Sequence, residues 1–296
     1  MKRIALGLLF CWSIVGISCG NFLENDLEKI NKQNEQDMLN YINSKNLQMV
    51  KTESGIYYNI TKTNASGAKV QLGDEVKIHF LMSLLDGTRI DSSSRLKNEP
   101  VSAVFGGTLG LQGLLEAISV LKEGERGTFL IPSVLAYGSS SLGAIPANSV
   151  VVLDLEAVQF RTEEKQIDDY IKALGTTVKI LSDSKTSTGL RILKVTETTG
   201  AQLKTGQTAT VKYTGYLAST VKQFDTGQID VGLGNNAVVK GFEEGLLQLK
   251  VGEKAFLVFP SAIGYSNTGV KDTQTGAYRI PPYSPLIFMV EVKSAI

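Results

Sequence analysis

Gly241-Phe242-Glu243-Glu244 followed by Leu249-Lys250-Val251-Gly252-Glu253 decides the reading of this chain, because the sequence contains the pattern twice. The earlier copy runs Gly113-Leu114-Leu115-Glu116 and then Leu121-Lys122-Glu123-Gly124-Glu125, with the same internal spacing. Downstream, Pro132-Ser133 and Tyr137 are answered by Pro260-Ser261 and Tyr265. Upstream, Ile90-Asp91 is answered by Phe224-Asp225, and Ser54-Gly55-Ile56 by Thr188-Gly189-Leu190. Even the lead-in segments agree, each ending in Tyr-Ile at Tyr41-Ile42 and Tyr170-Ile171. The offset of about 130 residues is far longer than the 20–50 residues of a solenoid repeat and has the length of a domain. A tandem duplication is expected, with its boundary near Phe160 to Glu164. The total of 296 residues fits two domains at roughly 150 residues each.

Working outward from the repeated core, the elements of each copy follow from periodicity. Val76, Ile78 and Phe80 alternate with Lys77 and His79, and Ala209, Val211 and Tyr213 alternate with Thr210 and Lys212, the mark of a half-buried strand. His79 falls on the face opposite Phe80 and is expected to point outward. Asp86-Gly87 signals a hairpin turn. Leu111, Leu114, Ile118 and Leu121, matched by Val239, Phe242, Leu246 and Leu249, fall at helical spacing, with Gly124 and Gly252 as expected C-terminal caps. Strands follow at Gly127–Ile131 and Ala255–Phe259, and last strands at Val150–Val158 and Leu286–Val292. Links between strands are too short for helical crossovers. The expected fold class is therefore α+β, an antiparallel sheet packed on one helix in each copy.

Composition removes most chemistries. Apolar residues at 43% supply packed cores, and 30 Lys+Arg against 29 Asp+Glu give a net charge of +1, without the basic excess of a nucleic-acid groove. A single histidine and two cysteines cannot furnish most zinc, iron–sulfur or disulfide frameworks, and His79, expected to face outward from its strand, reads as a surface residue and not as the imidazole base of a serine or cysteine nucleophile. Gly232-Leu233-Gly234-Asn235-Asn236-Ala237 matches a dinucleotide fingerprint only on paper, since no βα unit surrounds it, and it reads as a loop.

At the N-terminus, Lys2-Arg3 precede an apolar run from Ile4 to Ile17, too short for a membrane span and suited to a signal peptide. It closes on Gly16-Ile17-Ser18-Cys19, which resembles a bacterial lipobox, although Gly16 stands where a Leu-like residue is usual. The expectation is a leader over 1–19, lipidation of Cys19, and a membrane partner reached through that anchor, on the periplasmic side of an outer membrane. Cys11 would leave with the leader. Residues 20–50 read as a polar spacer and a weakly amphipathic helix, expected as a solvated arm because the apolar face is thin.

The residues left over are aromatic and aliphatic with one acid. In the second copy they are Tyr213, Phe224, Asp225, Ile229, Val238, Val239, Phe242, Tyr265, Ile280 and Phe288. With Tyr213-Thr214-Gly215, Phe224-Asp225, Val238-Val239-Lys240-Gly241-Phe242-Glu243-Glu244-Gly245, Tyr265-Ser266 and Ile280-Pro281-Pro282 in that order, each copy resembles a domain of the FKBP family, the immunophilin-type peptidyl-prolyl cis–trans isomerases. The resemblance implies two FKBP-like domains, over 51–160 and 161–296, each a half-open antiparallel sheet wrapped around a short helix. It implies a shallow apolar pocket with Phe242 as floor in place of the usual tryptophan, and with Tyr213, Phe224 and Phe288 as walls. Val238, Ile280 and the Val239 N–H would meet the substrate, and Tyr265 would donate from its hydroxyl. Asp225 would polarise from the pocket edge; as a residue type in that place it reads equally well as a turn-capping aspartate. The implied partners are proline-containing proteins, with a macrolide-type ligand as an incidental binder, and no cofactor or metal is implied.

The first copy departs further from the family pattern. Its corresponding residues are Phe80, Ile90, Asp91, Leu111, Leu114, Tyr137, Ile145 and Leu153. Leucine and isoleucine replace rings at the floor and walls, so the first domain is expected to fold but to isomerise weakly or serve as a binding module. A chaperone-like or scaffold lipoprotein with little turnover is the alternative to an enzyme. In the second copy the loop from Asn267 to Arg279 is long and carries Lys271, Asp272, Gln274 and Tyr278 near the expected pocket mouth.

Overall fold

The computed structural model of the protein describes residues 26–107 and 109–296. The leader and Cys19 lie outside the described residues. The first half runs α1 (Asp26–Ser44), β1 (Val50–Lys51), β2 (Tyr57–Lys62), β3 (Glu75–Leu84), β4 (Arg89–Ser92), β5 (Val101–Val104), α2 (Gln112–Val120), β6 (Arg126–Ile131) and β7 (Val151–Arg161). The second half runs α3 (Glu163–Leu174), β8 (Ser182–Lys185), β9 (Arg191–Thr196), β10 (Thr208–Leu217), β11 (Gln223–Gly232), α4 (Lys240–Leu246), β12 (Lys254–Phe259), β13 (Val270–Lys271), β14 (Tyr278–Ile280) and β15 (Leu286–Ala295). The first sheet has the order β1-β2-β6-β7-β3-β4, with β5 also on β3, and the second β11-β10-β15-β12-β9-β8. All pairings in both are antiparallel.

Side chains alternate across these strands, so each sheet has two faces to cover. In the first sheet Phe129, Ile131, Val151, Leu153 and Leu155 face the core shared with Leu114, Ala117 and Ile118 of α2. In the second, Ala255, Leu257, Phe259, Phe288 and Val290 face Phe242 and Leu246 of α4. Glycine permits the close approach of helix to sheet: a Cβ at Gly241 would sit 2.6 Å from the Phe259 ring, and one at Gly113 would sit 2.3 Å from Ile131 Cγ2. That contact is why both copies carry glycine at this step of the repeat.

The opposite faces are covered by the lead-in helices, which corrects the expectation of a solvated arm. Met38 of α1 is only 1% exposed and packs with Tyr57, Leu130, Val150 and Val152. Asn34 is buried beside it, donating to Asn148 O (2.9 Å) and accepting from Ser133 N (2.7 Å). A narrow apolar stripe suffices because the polar group next to it is fully paired. On the second sheet α3 buries Ile167 and Leu174 against Leu193, Phe256, Val258 and Ile287. Thr162 caps α3 by accepting from Lys165 N at 3.1 Å.

Two local expectations also change. Gly124 (φ +82°) and Gly252 (φ +88°) are not helix caps, because α2 and α4 end earlier, at Val120 and Leu246. They make the turn into the next strand and donate to Ala157 O (2.6 Å) and Val292 O (2.8 Å). The glutamate that follows is buried and holds that turn. Glu125 accepts from Lys122 N (2.8 Å) and Asn64 N (3.1 Å), while Glu253 accepts from Lys250 N and Lys194 Nζ (both 2.9 Å). His79 points away from Phe80 yet is 5% exposed, because the excursion between β4 and β5 folds over it and brings Ser93 Oγ to 3.0 Å from its Nδ1. The Gly232–Ala237 stretch does follow a strand, β11, but that strand belongs to an antiparallel hairpin with β10, so no crossover unit forms.

Candidate functional site

Four elements of the second half converge on one hollow of about 150 Å³, on the α4 side of the sheet. Tyr213 comes from β10, Phe224, Asp225 and Ile229 from β11, Phe288 from β15, and Val238, Val239 and Phe242 from the entry into α4. Tyr265 follows the short 3-10 turn Ser261–Ile263 and Ala237 completes the lining. The strand register explains the meeting of rings, because Gly215 pairs with both Asp225 and Phe288. A Cβ at Gly215 would fall 2.6 Å from the Phe224 ring and 3.0 Å from the Phe288 ring, so the glycine makes room for both.

The rings form a connected wall. Phe242, 3% exposed, meets Phe288 edge-on with centroids 4.9 Å apart and Tyr213 edge-on at 6.0 Å. Phe224 meets Phe288 at 5.5 Å and 83°. Such edge-to-face pairs contribute about 0.5–1.5 kcal/mol each beyond their area burial and hold the wall in shape. A hollow of this size has room for a single ring of a peptide.

Polar groups are few and separately assigned. Tyr213 donates its hydroxyl to Asp225 Oδ2 at 2.9 Å, and Asp225 Oδ1 accepts from Thr226 N at 3.0 Å. The aspartate thus combines a turn contact with a place in the lining. Among the described residues, the Tyr265 hydroxyl and the Val239 N–H have no protein partner. Val239 is the N-terminal cap residue of α4 with extended backbone (φ −60°, ψ 145°), where a free N–H is inherent to the helix end. Burial raises the Tyr265 hydroxyl pKa, as does the Asp225 charge, while the Arg279 charge opposes them. Burial also raises Tyr213, reinforced by its bond to Asp225. Both hydroxyls therefore stay protonated, and Tyr265 is a donor in waiting.

Nine of the ten residues singled out in this half line the hollow; Ile280 does not. Pairing of β13 with β14 sets Val270 opposite Ile280 and turns Ile280 fully into the core. Two participants escaped sequence reading. Ala237 carries no chemical signal. Phe259 stacks at 5.8 Å and 11° behind Phe288, and the alternation Ala255, Leu257, Phe259 would have found it. In the first half, Phe80, Leu114, Ile145 and Leu153 are buried, and Ile90, Leu111 and Tyr137 are half-buried against the first core. Asp91 accepts from Ser92 N (2.7 Å) and, with Phe80 lacking a hydroxyl, has no counterpart of the Tyr213 bond. The Tyr137 hydroxyl lies 3.9 Å from Met82 Sδ.

The family model of the FKBP-type peptidyl-prolyl cis-trans isomerase matches residues 66–158 and 200–293. The chain is 36% identical over 131 residues to the FKBP-type isomerase FkpA of Aeromonas hydrophila, covering 44% of this chain and 47% of that protein. It is 29% identical over 222 residues to the isomerase FKBP9 of Rattus norvegicus, covering 75% of this chain and 35% of that protein. It is 40% identical over 107 residues to FK506-binding protein 1 of Gibberella zeae, covering 33% of this chain and 91% of that one. The chain thus spans less than half the length of the first two of these relatives. With both halves matched in register by one family model, around a ring-lined hollow in the second, the chain belongs to the FKBP-type peptidyl-prolyl cis-trans isomerase family.

Proposed function

We propose that this protein catalyses cis–trans rotation about X–Pro bonds of cell-envelope proteins, with the hollow of the second domain as its site. The supporting observation is the combination of four converging rings with two free donors, the Val239 N–H and the Tyr265 hydroxyl. An X–Pro amide resists rotation by about 18–20 kcal/mol because its planar form has double-bond character. That form is also the more charge-separated, so water stabilises it. The proline ring enters over Phe242, between Tyr213, Phe224 and Phe288, and leaves that stabilisation behind. The Val239 N–H holds a substrate carbonyl and Tyr265 donates to the turned amide, so binding is strongest at the twisted geometry. Each 1.4 kcal/mol or so removed from the barrier gives tenfold in rate. Nothing is broken or transferred, and the chain's lack of a nucleophile with a base is no obstacle. Asp225 fixes the Tyr213 ring through its hydroxyl and keeps a negative edge beside the mouth.

The first domain, filled by Leu114, Leu153 and Phe80, is assigned to weak turnover or to binding. The leader sequence supports lipid attachment at Cys19 and an envelope location; Cys19→Ala should then release the protein from membranes in fractionated cells. No described helix is long and apolar enough to cross a membrane. The site assignment is tested by amide chemical shifts of the full chain during titration with an X–Pro tetrapeptide. Shifts centred on Val239 and Tyr265 are expected; shifts confined to the first domain or to the outer sheet face would remove the assignment.

A further inference from the structure

The backbone around Tyr265 is unusual in two places at once. Ser266 (φ +49°) and Tyr283 (φ +56°) both occupy the left-handed region that side-chain-bearing residues rarely adopt. They are joined to each other, Tyr283 N donating to Ser266 O at 2.8 Å, and Ser266 N donates to Ser261 O at 2.8 Å. The residue next to the free hydroxyl is thus held from both sides by contacts outside the hollow.

Each contact leads to the first half of the chain. Tyr283 rests on Gly73, where a Cβ would come 3.3 Å from Tyr283 Cβ and 3.4 Å from its Cγ, and the neighbouring Pro282 O lies 3.4 Å from where a Cβ of Gly107 would be. Gly73 and Gly107 belong to one surface, since Gly73 N donates to Phe105 O (3.0 Å) and Phe105 N to Asp74 O (2.8 Å). On the other side, Glu163 of α3 accepts from Ser261 N (2.6 Å) and Ser261 Oγ (2.7 Å). The same helix is tied to β3 by Arg161, which pairs with Glu75 and with Asp169.

Resting on the isomerase reading above, we infer that the first domain braces the substrate-facing turn of the second, and that Tyr283, seated on Gly73, is a positioning residue for Tyr265. The brace gives a domain with an aliphatic-filled pocket a role in the reaction without substrate contact. Left-handed backbone at Ser266 and Tyr283 persists because the surrounding contacts over-determine it. Removing one contact lets the turn relax and takes the Tyr265 hydroxyl off its line.

The test uses the full chain with Tyr283→Ala, Tyr283→Phe and Gly73→Ala, the last placing a first-domain methyl 3.3 Å from Tyr283 Cβ and straining its own turn at φ +91°. Two readouts are taken: kcat and KM on an X–Pro peptide, and hydrogen exchange at the Ser266 and Tyr283 amides. Tyr283→Ala and Gly73→Ala should lower kcat by about tenfold with KM little changed, and should speed exchange at both amides. Tyr283→Phe should restore the wild-type values. Unchanged exchange in Tyr283→Ala and Gly73→Ala overturns the brace whatever the activity. If Tyr283→Ala unfolds the second domain, Gly73→Ala decides alone. A wild-type chain that fails to accelerate the peptide refutes the isomerase reading instead, and an active wild type with kcat unchanged in both variants overturns only the positioning role.

Discussion

Tyr265→Phe separates function from folding more cleanly than any other change at the site. The Tyr265 ring packs against the second core, while its hydroxyl has no protein partner among the described residues. Deleting one oxygen therefore removes no intramolecular bond and leaves the packing in place. Stability should stay within about 0.5 kcal/mol of wild type, as for changes that touch no structural contact. If the hydroxyl donates to the turning amide, its loss forfeits a hydrogen bond of about 0.5–1.5 kcal/mol. At about 1.4 kcal/mol per decade, kcat/KM should drop between roughly twofold and roughly twelvefold. The contrast is Tyr213→Phe, which breaks the 2.9 Å bond to Asp225 and should cost about 1 kcal/mol of stability as well as activity. The assay is exchange spectroscopy on an X–Pro tetrapeptide, paired with calorimetric melting of each variant. Unchanged kcat/KM in Tyr265→Phe, or a melting shift equal to that of Tyr213→Phe, would refute the assignment of a free donor.

Three further outcomes are expected. Phe242→Leu, which gives the second floor the residue of the first, removes the ring contacts at 4.9 and 6.0 Å; it should destabilise the second domain by about 1–3 kcal/mol and reduce turnover, read by calorimetry and peptide exchange. Met38→Ala should cost about 2–5 kcal/mol in denaturant unfolding of the first domain, because α1 is packed on the sheet and not solvated. Glu163 lies at the inter-domain seam, and burial raises its pKa above the ordinary 4.5, as does the Asp74 charge, against the two bonds from Ser261. A raised folded value means that stability is fully present below the unfolded pKa and is lost as pH rises through the folded one, so stability should decline above about pH 4.5. Glu163→Gln should flatten that part of the melting-temperature profile, and an unaltered profile would exclude Glu163 as its source.

The fold and site are legible in the sequence wherever a signal is local. Gly113 and Gly241 recur because a helix lies on a strand there, and Glu125 and Glu253 because each ties down a turn; both are short-range causes and leave a repeated spelling. The alternation of Ala209, Val211 and Tyr213 likewise reports its own face. What escaped reading depends on chain distant in sequence. The thin stripe of α1 looked insufficient because Asn34 finds its partners at Ser133 and Asn148, about a hundred residues away. His79 alternates as an outward residue should, yet the excursion carrying Ser93 and Asn98 covers it. Ile280 matched a pocket position by order along the chain, but the inserted β13–β14 hairpin re-aims it. The seat of Tyr283 on Gly73 joins the two domains and has no periodicity to betray it.

In the proposed function, the ring-lined hollow of the second domain lowers the rotation barrier of an X–Pro bond without covalent chemistry. The most direct measurement is the cis–trans exchange rate of one X–Pro tetrapeptide in the presence of the wild-type chain, of Phe242→Leu and of Leu114→Ala. Acceleration by the wild type is expected, most of it lost in Phe242→Leu and retained in Leu114→Ala. No acceleration by the wild type, or loss in Leu114→Ala with Phe242→Leu fully active, would contradict it.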